Sequence, residues 1–278
     1  MSGKLYLCAT PIGNLEDMTF RVLETLKRVD LIAAEDTRHS VKLLNHFEIR
    51  TPMTSYHEFN KLEKAAYLIG LMREGKDIAL VTDAGTPAIS DPGEELVRMC
   101  MEAGIEVTSL PGPAACITAL TLSGLCTRRF CFEGFMPADK KEREEVLKRL
   151  KGEVRTTIFY EAPHRLKRTL KLLYDTVGDR KITLCRELTK KYETVMAVTL
   201  TEAAAFYEAN DPKGEYVLVL DGLDSKKFLE EQRASWDSMS MEEHMDLYLK
   251  KGLSKKDAMK AVASDRGITK RDVYQSLL

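Results

Sequence analysis

Residues able to do chemistry gather in one stretch, Val81 to Gly93, which reads VTDAGTPAISDPG. It holds the carboxylates Asp83 and Asp91, the hydroxyls Thr82, Thr86 and Ser90, glycines at 85 and 93, and prolines at 87 and 92. No bulky side chain precedes Ile89. That mixture suits a ligand held by main-chain groups. Glycine lets backbone N–H and C=O approach closely, and proline stiffens the loop around them. An ordinary strand-to-helix connection spans only a few residues. This one is longer and denser in special residues, so it is read as a ligand loop.

The elements that must position it are legible on either side. Asp77-Ile78-Ala79-Leu80-Val81 is an apolar run that predicts a buried strand, and Glu94 to Cys100 predicts a helix. Earlier strands are expected at Leu5–Ala9, Leu31–Ala34 and in a run closing with Thr54–Asn60; a later one is expected at Glu106–Leu110. Between them Phe20, Val22, Leu23, Leu26 and Val29 share helical spacing, with Asp17 or Thr19 as the cap. A second helix passes through Leu43 and Leu44, and a third carries Ala65, Ala66, Leu68, Ile69 and Met72 and stops at Gly75. Strands alternating with helices at this spacing predict a mostly parallel sheet. In such sheets ligands bind at the carboxyl ends of strands. Three small-residue loops fall there: Ala9–Asn14, Thr82–Gly93 and Pro111–Ala115.

Past an apolar helix at Ile117–Leu125 the texture changes near Thr127. Strand-like runs at Phe130–Phe135, Thr156–Tyr160, Lys181–Cys185, Glu193–Val198 and Gly214–Leu220 predict a second α/β domain. From Asp224 the chain reads as all helix, joined by a helix around Trp236, with capping-box-like starts at Ser254/Asp257 and Thr269/Asp272. The expected division is 1–115, 116–223 and 224–278.

Several function classes are excluded by pattern. There is no G-x-G-x-x-G after the first strand, no G-x-x-x-x-G-K-[ST] and no G-x-S-x-G. The six cysteines are scattered, so neither a zinc site nor a disulfide framework is expected. No apolar run approaches the ~20 residues that cross a membrane. The start, Met1 to Lys4, runs straight into a strand without a leader-like apolar core, as expected of a cytoplasmic protein. Net charge is −1, with 44% hydrophobic and 31% charged residues, so any polyanion must be met by local patches.

Four stretches together carry a family likeness: Ala9–Asp17 (ATPIGNLED), Ala34–Arg38 (AEDTR), Asp83–Gly93 (DAGTPAISDPG) and Leu110–Ala114 (LPGPA). On these the chain resembles the tetrapyrrole methylase superfamily. Within it, the chain is similar to the branch that acts on ribosomal RNA, because Ala9–Asn14 replaces the G-x-G-P-G-D of the porphyrin and corrin enzymes. The resemblance implies two α/β domains with S-adenosylmethionine in the cleft between them, and a homodimer. It implies methyl transfer to the 2′-oxygen of a cytidine in 16S ribosomal RNA, near the decoding centre of the small subunit. By position it implies cofactor contacts from Pro11, Asp83, Ala84, Gly85, Ala88, Ala114, Ala115 and Glu161, with a further contact near Leu188. No metal is implied.

For such a reaction the protein must align a ribose hydroxyl with an already electrophilic methyl, and a general base helps to remove the proton. Asp36, His57, Glu58 and Glu161 all sit near expected strand ends; Asp36 with Arg38 is the first choice, and Arg38 is an alternative phosphate contact. On the RNA side the candidates are Arg38, His57, the acid-free run His164, Arg165, Lys167, Arg168 and Lys171, and the tail, with Lys255 and Lys256. Residues 250–278 carry eight Lys/Arg against three Asp. Tyr56, Phe59, Phe132 and Phe135 are candidates for stacking on splayed bases. Two rival readings remain at this level: a relative acting on a tetrapyrrole or protein side chain, and a non-catalytic assembly factor that binds the cofactor as a regulator.

Overall fold

A computed structural model describes residues 2–224, 236 and 239–277. The first half builds a five-stranded sheet from β1 (Lys4–Cys8), β2 (Leu31–Ala34), β3 (Met53–Ser55), β4 (Ile78–Val81) and β5 (Glu106–Leu110), in the order β3-β2-β4-β1-β5. Every pairing is parallel. All four residues of β4 are buried, as a strand covered on both faces requires. Helices α1 (Phe20–Arg28), α2 (Thr37–His46), α3 (Lys61–Arg73) and α4 (Gly93–Glu102) supply the cover. One apolar cluster joins Leu5, Leu80, Leu68, Met72 and Leu96; another joins Cys8, Val22, Leu26, Ile32 and Val81.

Thr19 is the cap of α1, its hydroxyl accepting from Val22 N. Phe20 does not join the buried face as expected and is 89% exposed. Val22 and Leu26 set that face, and a residue two places before Val22 lies about 200° around the helix from it. Tyr56 is also corrected: it is 1% exposed and its hydroxyl donates to Pro92 O, so it packs in the core and offers no stacking surface. The strand containing Thr54 ends at Ser55, not Asn60.

After α5 (Ala115–Leu122) the second sheet forms from β6 (Phe130–Phe135), β7 (Thr156–Glu161), β8 (Lys181–Arg186), β9 (Thr194–Thr199) and β10 (Tyr216–Leu220). Its order is β6-β7-β10-β8-β9, with α6 (Lys140–Lys151), α7 (Pro163–Val177) and α8 (Leu200–Ala209) between strands. β6 pairs parallel to β7, but β10 runs antiparallel to both its neighbours. Tyr216 therefore stands beside Glu161 and Arg186, and the amino end of β10 meets the carboxyl ends of β7 and β8. Both sheets belong to one compact unit, residues 1–147 and 156–221. α5 starts two residues earlier than expected and stops near Gly124, whose φ of 69° ends the helical path.

A second unit comprises residues 148–155 and 222–278. Its described helices are α9 (Met241–Lys250), α10 (Lys255–Arg266) and α11 (Lys270–Ser276), packed through Met245, Ala258, Val262, Ala263 and Val273. Ser240 and Thr269 head complete capping boxes, and Ser254 caps α10 through Asp257 N. The helix expected around Trp236 lies outside the described residues, apart from Trp236 itself. Among the described residues no helix is long and apolar enough to cross a membrane.

Candidate functional site

The parallel register puts the ends of β1, β2, β4 and β5 on one edge: Cys8 stands beside Leu110, Leu7 beside Leu80, and Ala34 beside Val81. The loops leaving that edge are stitched to one another. Thr10 and Gly85 exchange both backbone hydrogen bonds, 2.9 and 3.0 Å, and the Thr10 hydroxyl donates to Thr82 O. Thr86 Oγ1 donates to Pro113 O at 2.9 Å. Gly112 is needed here because a Cβ would meet the Ala9 Cβ at 2.6 Å. Gly13 passes so close to the segment after β8 that a Cβ would lie 2.4 Å from Lys190 Cγ and 2.9 Å from Leu188 O.

Asp91 shapes the rest of the loop. Its Oδ1 accepts from Ala88 N (3.0 Å) and Gly93 N (2.8 Å), and its Oδ2 from Ile89 N (3.0 Å). Ala88 and Ser90 are left-handed, with φ of 67° and 68°. Non-glycine residues avoid that region unless the surroundings impose it, and such residues cluster at ligand sites. Burial raises the Asp91 carboxyl above its usual range, against the lowering pull of its three backbone donors.

These loops and the facing edge of the second sheet enclose a cavity of about 530 Å³. That lies within the roughly 300–1,000 Å³ of small-molecule sites. Asp83, Ala84 and Gly85 line it, with Ala114, Ala115 and Glu161. Leu188 lines it as well. Pro11 and Ala88 do not. Ile12, next to Pro11, lines it, and Ala88 packs against the apolar cluster beneath the first sheet. The loop conformation turns the side chain of 88 inward and leaves Ile89 and Ser90 on the cavity.

The lining has a marked charge. Among the described residues it holds the acids Glu35, Asp83, Asp91, Glu161, Glu187 and Glu215 and one cation, Lys190. Lys190 is already paired with Glu187 (3.0 Å) and Glu215 (2.7 Å). An acid-rich cavity with no glycine-rich phosphate cradle favours a cationic guest. S-adenosylmethionine, which carries a sulfonium and an ammonium group against one carboxylate, fits that donor set and volume. The apolar lining from Ile12, Ala84, Ala114, Ala115 and Val217 suits its adenine and thioether carbons.

Glu35 is a site residue that sequence reasoning passed over. It lines the cavity, and its Oε2 accepts from Thr82 Oγ1 at 2.6 Å. Burial and the neighbouring Glu35 charge raise the Asp83 carboxyl above the usual range. Asp83 Oδ1 accepts from Asp36 N at 3.1 Å. Asp36 itself caps α2, accepting from Arg38 N, and takes a two-pronged ion pair from the Arg38 side chain at 3.1 and 2.8 Å. Those bonds hold its carboxyl down at about 2. So acidic a group is a weak proton acceptor, and Asp36 does not line the cavity. The Arg38 side chain is 90% exposed.

The remaining expected residues are spread out. His164 and Arg168 are exposed on α7; Arg165 is half-buried and bound to Glu161. His57 is half-buried, with Nδ1 buried and unpaired in the described structure. Its ring stands edge-on to Phe59, which is 97% exposed. Phe135 lines the cavity and Phe132 packs in the second-sheet core, both against the Tyr160 ring. Lys255 and Lys256 are exposed in the first turn of α10. Among the described residues no cluster of side chains has the make-up of a metal site.

Residues 4–204 match the family model described as Tetrapyrrole (Corrin/Porphyrin) Methylases, and the chain belongs to that family. Its curated relatives give the branch. It is 50% identical over 272 residues to "Ribosomal RNA small subunit methyltransferase I" of Halalkalibacterium halodurans, covering 98% of this chain and 93% of the relative. It is 47% identical to the Bacillus subtilis protein of that name, covering 99% and 94%. Among solved structures, uroporphyrin-III-C-methyltransferase from Thermus thermophilus aligns with a TM-score of 0.56 at 18% identity, over 78% of this chain and 94% of that one. A diphthine synthase aligns with a TM-score of 0.61 at 14% identity, over 79% and 90%. At such identities these two structures speak for the fold alone.

Proposed function

We propose that this chain is a methyltransferase that uses S-adenosylmethionine to methylate the 2′-oxygen of a cytidine in 16S ribosomal RNA, near the decoding centre of the small subunit. The observation that carries the reading is near-full-length identity of about half to relatives named for small-subunit ribosomal RNA methylation. The acid-rich cavity supports the cofactor. The domain limits 1–115, 116–223 and 224–278, a homodimer and a cytoplasmic setting go with it.

When bound, S-adenosylmethionine supplies an electrophilic methyl group on sulfur. The chain's own residues do the rest. Ala84, Gly85 and Ala115, which line the cavity, would hold and orient the cofactor, and Ile12 and Val217 would exclude water from it. Asp83, raised by burial beside Glu35, is the better proton acceptor for the ribose hydroxyl; Asp36 is relegated to capping α2 and ordering Arg38. Arg38, Arg168, Lys255 and Lys256 supply cations to the RNA backbone, with His57 and His164 as hydrogen-bonding contacts.

The test is ribose-methylation mapping of 16S ribosomal RNA from cells with and without the protein, with purified small subunits and labelled cofactor as the biochemical arm. Loss of one 2′-O-methylcytidine in the deletion, restored by the purified protein, is the expected result. Label on a uroporphyrin-type substrate and none on RNA would assign the chain to the tetrapyrrole rival.

A further inference from the structure

Glu161 ends β7 and Arg165 lies in the first turn of α7. Glu161 is 1% exposed, and both its oxygens are engaged. Oε1 accepts from Arg165 Nε (2.8 Å) and Ala162 N (2.9 Å); Oε2 accepts from Thr169 Oγ1 (2.6 Å). A carboxylate so committed is poorly placed to serve a ligand directly. Its physical effect falls on Arg165. The guanidinium is fixed through Nε, while its Nη2 is buried and has no partner among the described residues. Its Cζ lies 5.9 Å from the centroid of the Phe135 ring, and Phe135 is half-exposed and lines the cavity. A buried guanidinium N–H without an acceptor is costly, so the arrangement is complete only when an acceptor arrives.

The chemistry of that acceptor is an oxyanion, which the planar guanidinium fork matches. Two sources exist: the carboxylate of the cofactor and a phosphodiester of RNA. The surroundings favour the second. Arg168 and Lys171 are exposed on the same helix, as is His164, so the positive charge continues along α7 through Arg168 and Lys171. A single carboxylate has no use for that run, whereas a strand of phosphates does. Resting on the RNA-methylating reading above, we propose that Arg165, held by the positioning residue Glu161, grips a phosphodiester of the RNA strand beside the ribose that enters the cavity.

The experiment compares Arg165→Ala, Arg165→Lys and Glu161→Gln in the full chain. Methyl transfer to small ribosomal subunits is measured against salt, and S-adenosylhomocysteine binding is measured by calorimetry. Arg165→Ala raises KM for the RNA substrate by about 10- to 100-fold, as expected for a lost charge-assisted bond. It also flattens the log–log salt slope by about 0.7, the value for one contact on a single strand. S-adenosylhomocysteine affinity stays within about twofold. Arg165→Lys restores the salt slope but not the KM, because the fork is lost. Glu161→Gln raises KM while keeping the salt slope, since the guanidinium charge is still present but no longer held. A merely structural Glu161 would instead move thermal stability and cofactor affinity together. Unchanged KM in Arg165→Ala overturns the proposal. Weakened S-adenosylhomocysteine binding with unchanged RNA KM assigns the anion to the cofactor and also overturns it. If the wild-type chain labels no small-subunit RNA, the functional reading itself fails, and this inference falls with it.

Discussion

Replacing Asp91 with alanine should cripple cofactor binding without unfolding the protein. The carboxylate accepts three backbone N–H bonds, from Ala88, Ile89 and Gly93, and these hold Ala88 and Ser90 in the left-handed region. A non-glycine residue there costs roughly 1–2 kcal/mol, so the clamp holds about 2–4 kcal/mol of backbone strain. In Asp91→Ala the loop relaxes, and the binding-competent form becomes the minor state by about that amount. Apparent affinity falls in proportion to the competent fraction, which is ~30- to 1,000-fold at 1.4 kcal/mol per decade. Fold stability changes little by comparison. The released strain offsets the lost bonds, and burial already disfavours the charged carboxylate. Asp91→Asn keeps an acceptor for Ala88 N and Gly93 N and loses the one for Ile89 N, so its affinity is intermediate. Ala88→Gly in the Asp91→Ala background removes one left-handed penalty and recovers about fivefold, for ~1 kcal/mol. The assay is calorimetric titration with S-adenosylhomocysteine, with thermal unfolding alongside. An affinity within threefold of wild type in Asp91→Ala, with its fold intact, would refute the argument.

Three further outcomes are expected. Gly112→Ala drives a methyl group into Ala9 Cβ at the crossing of the first and third loops. Thermal melts should show a loss of about 1–3 kcal/mol, and cofactor affinity should drop with it. If Asp83 takes the ribose proton, kcat falls toward acid along a limb lying above the ordinary aspartate value of about 3.9, because Asp83 is raised. Asp83→Asn then removes activity, while Asp36→Asn keeps most of it; equal losses in both variants would exclude the assignment. In the helical tail, burial lowers the His244 pKa despite Asp265 beside it. Its Nδ1 accepts from Arg266 Nε, its Nε2 faces Asp265, and its ring stacks on Trp236 at 4.1 Å. A histidine kept neutral by the fold contributes stability that is present above the unfolded value of about 6.5 and is lost as pH falls from there toward the folded value. Trp236 is the chain's one tryptophan, so its fluorescence should report that loss on acidification, and His244→Gln should abolish the transition.

The alternation of strands and helices, the loop from Thr82 to Pro92 and the family branch were legible in the residues themselves. Those features are local: buried parallel strands are written as unbroken apolar runs such as Ile78–Val81, and their turns as glycine and proline. The small-residue loops after β1, β4 and β5 were legible because a parallel sheet places those strand ends on one edge, whereas Asp83, Ala84, Gly85, Ala114 and Ala115 came from the family resemblance, and all five line the cavity. The side on which Ala88 falls was not legible, since it depends on left-handed backbone imposed by a carboxylate three residues on.

What the tertiary structure alone decided is the far wall of the cavity and the different proton affinities of the aspartates at its strand edge. Glu187, Lys190 and Glu215 line it because β10 runs antiparallel between β7 and β8, a pairing that no local pattern encodes. From the residues alone Asp36 was the first choice of base, and Asp83 was expected only to contact the cofactor. In the folded chain Arg38 lowers the first, and burial beside Glu35 raises the second. Residue type and strand position are properties of the sequence. Proton affinity depends on which charges and how much water surround a group, and only folding brings those neighbours together.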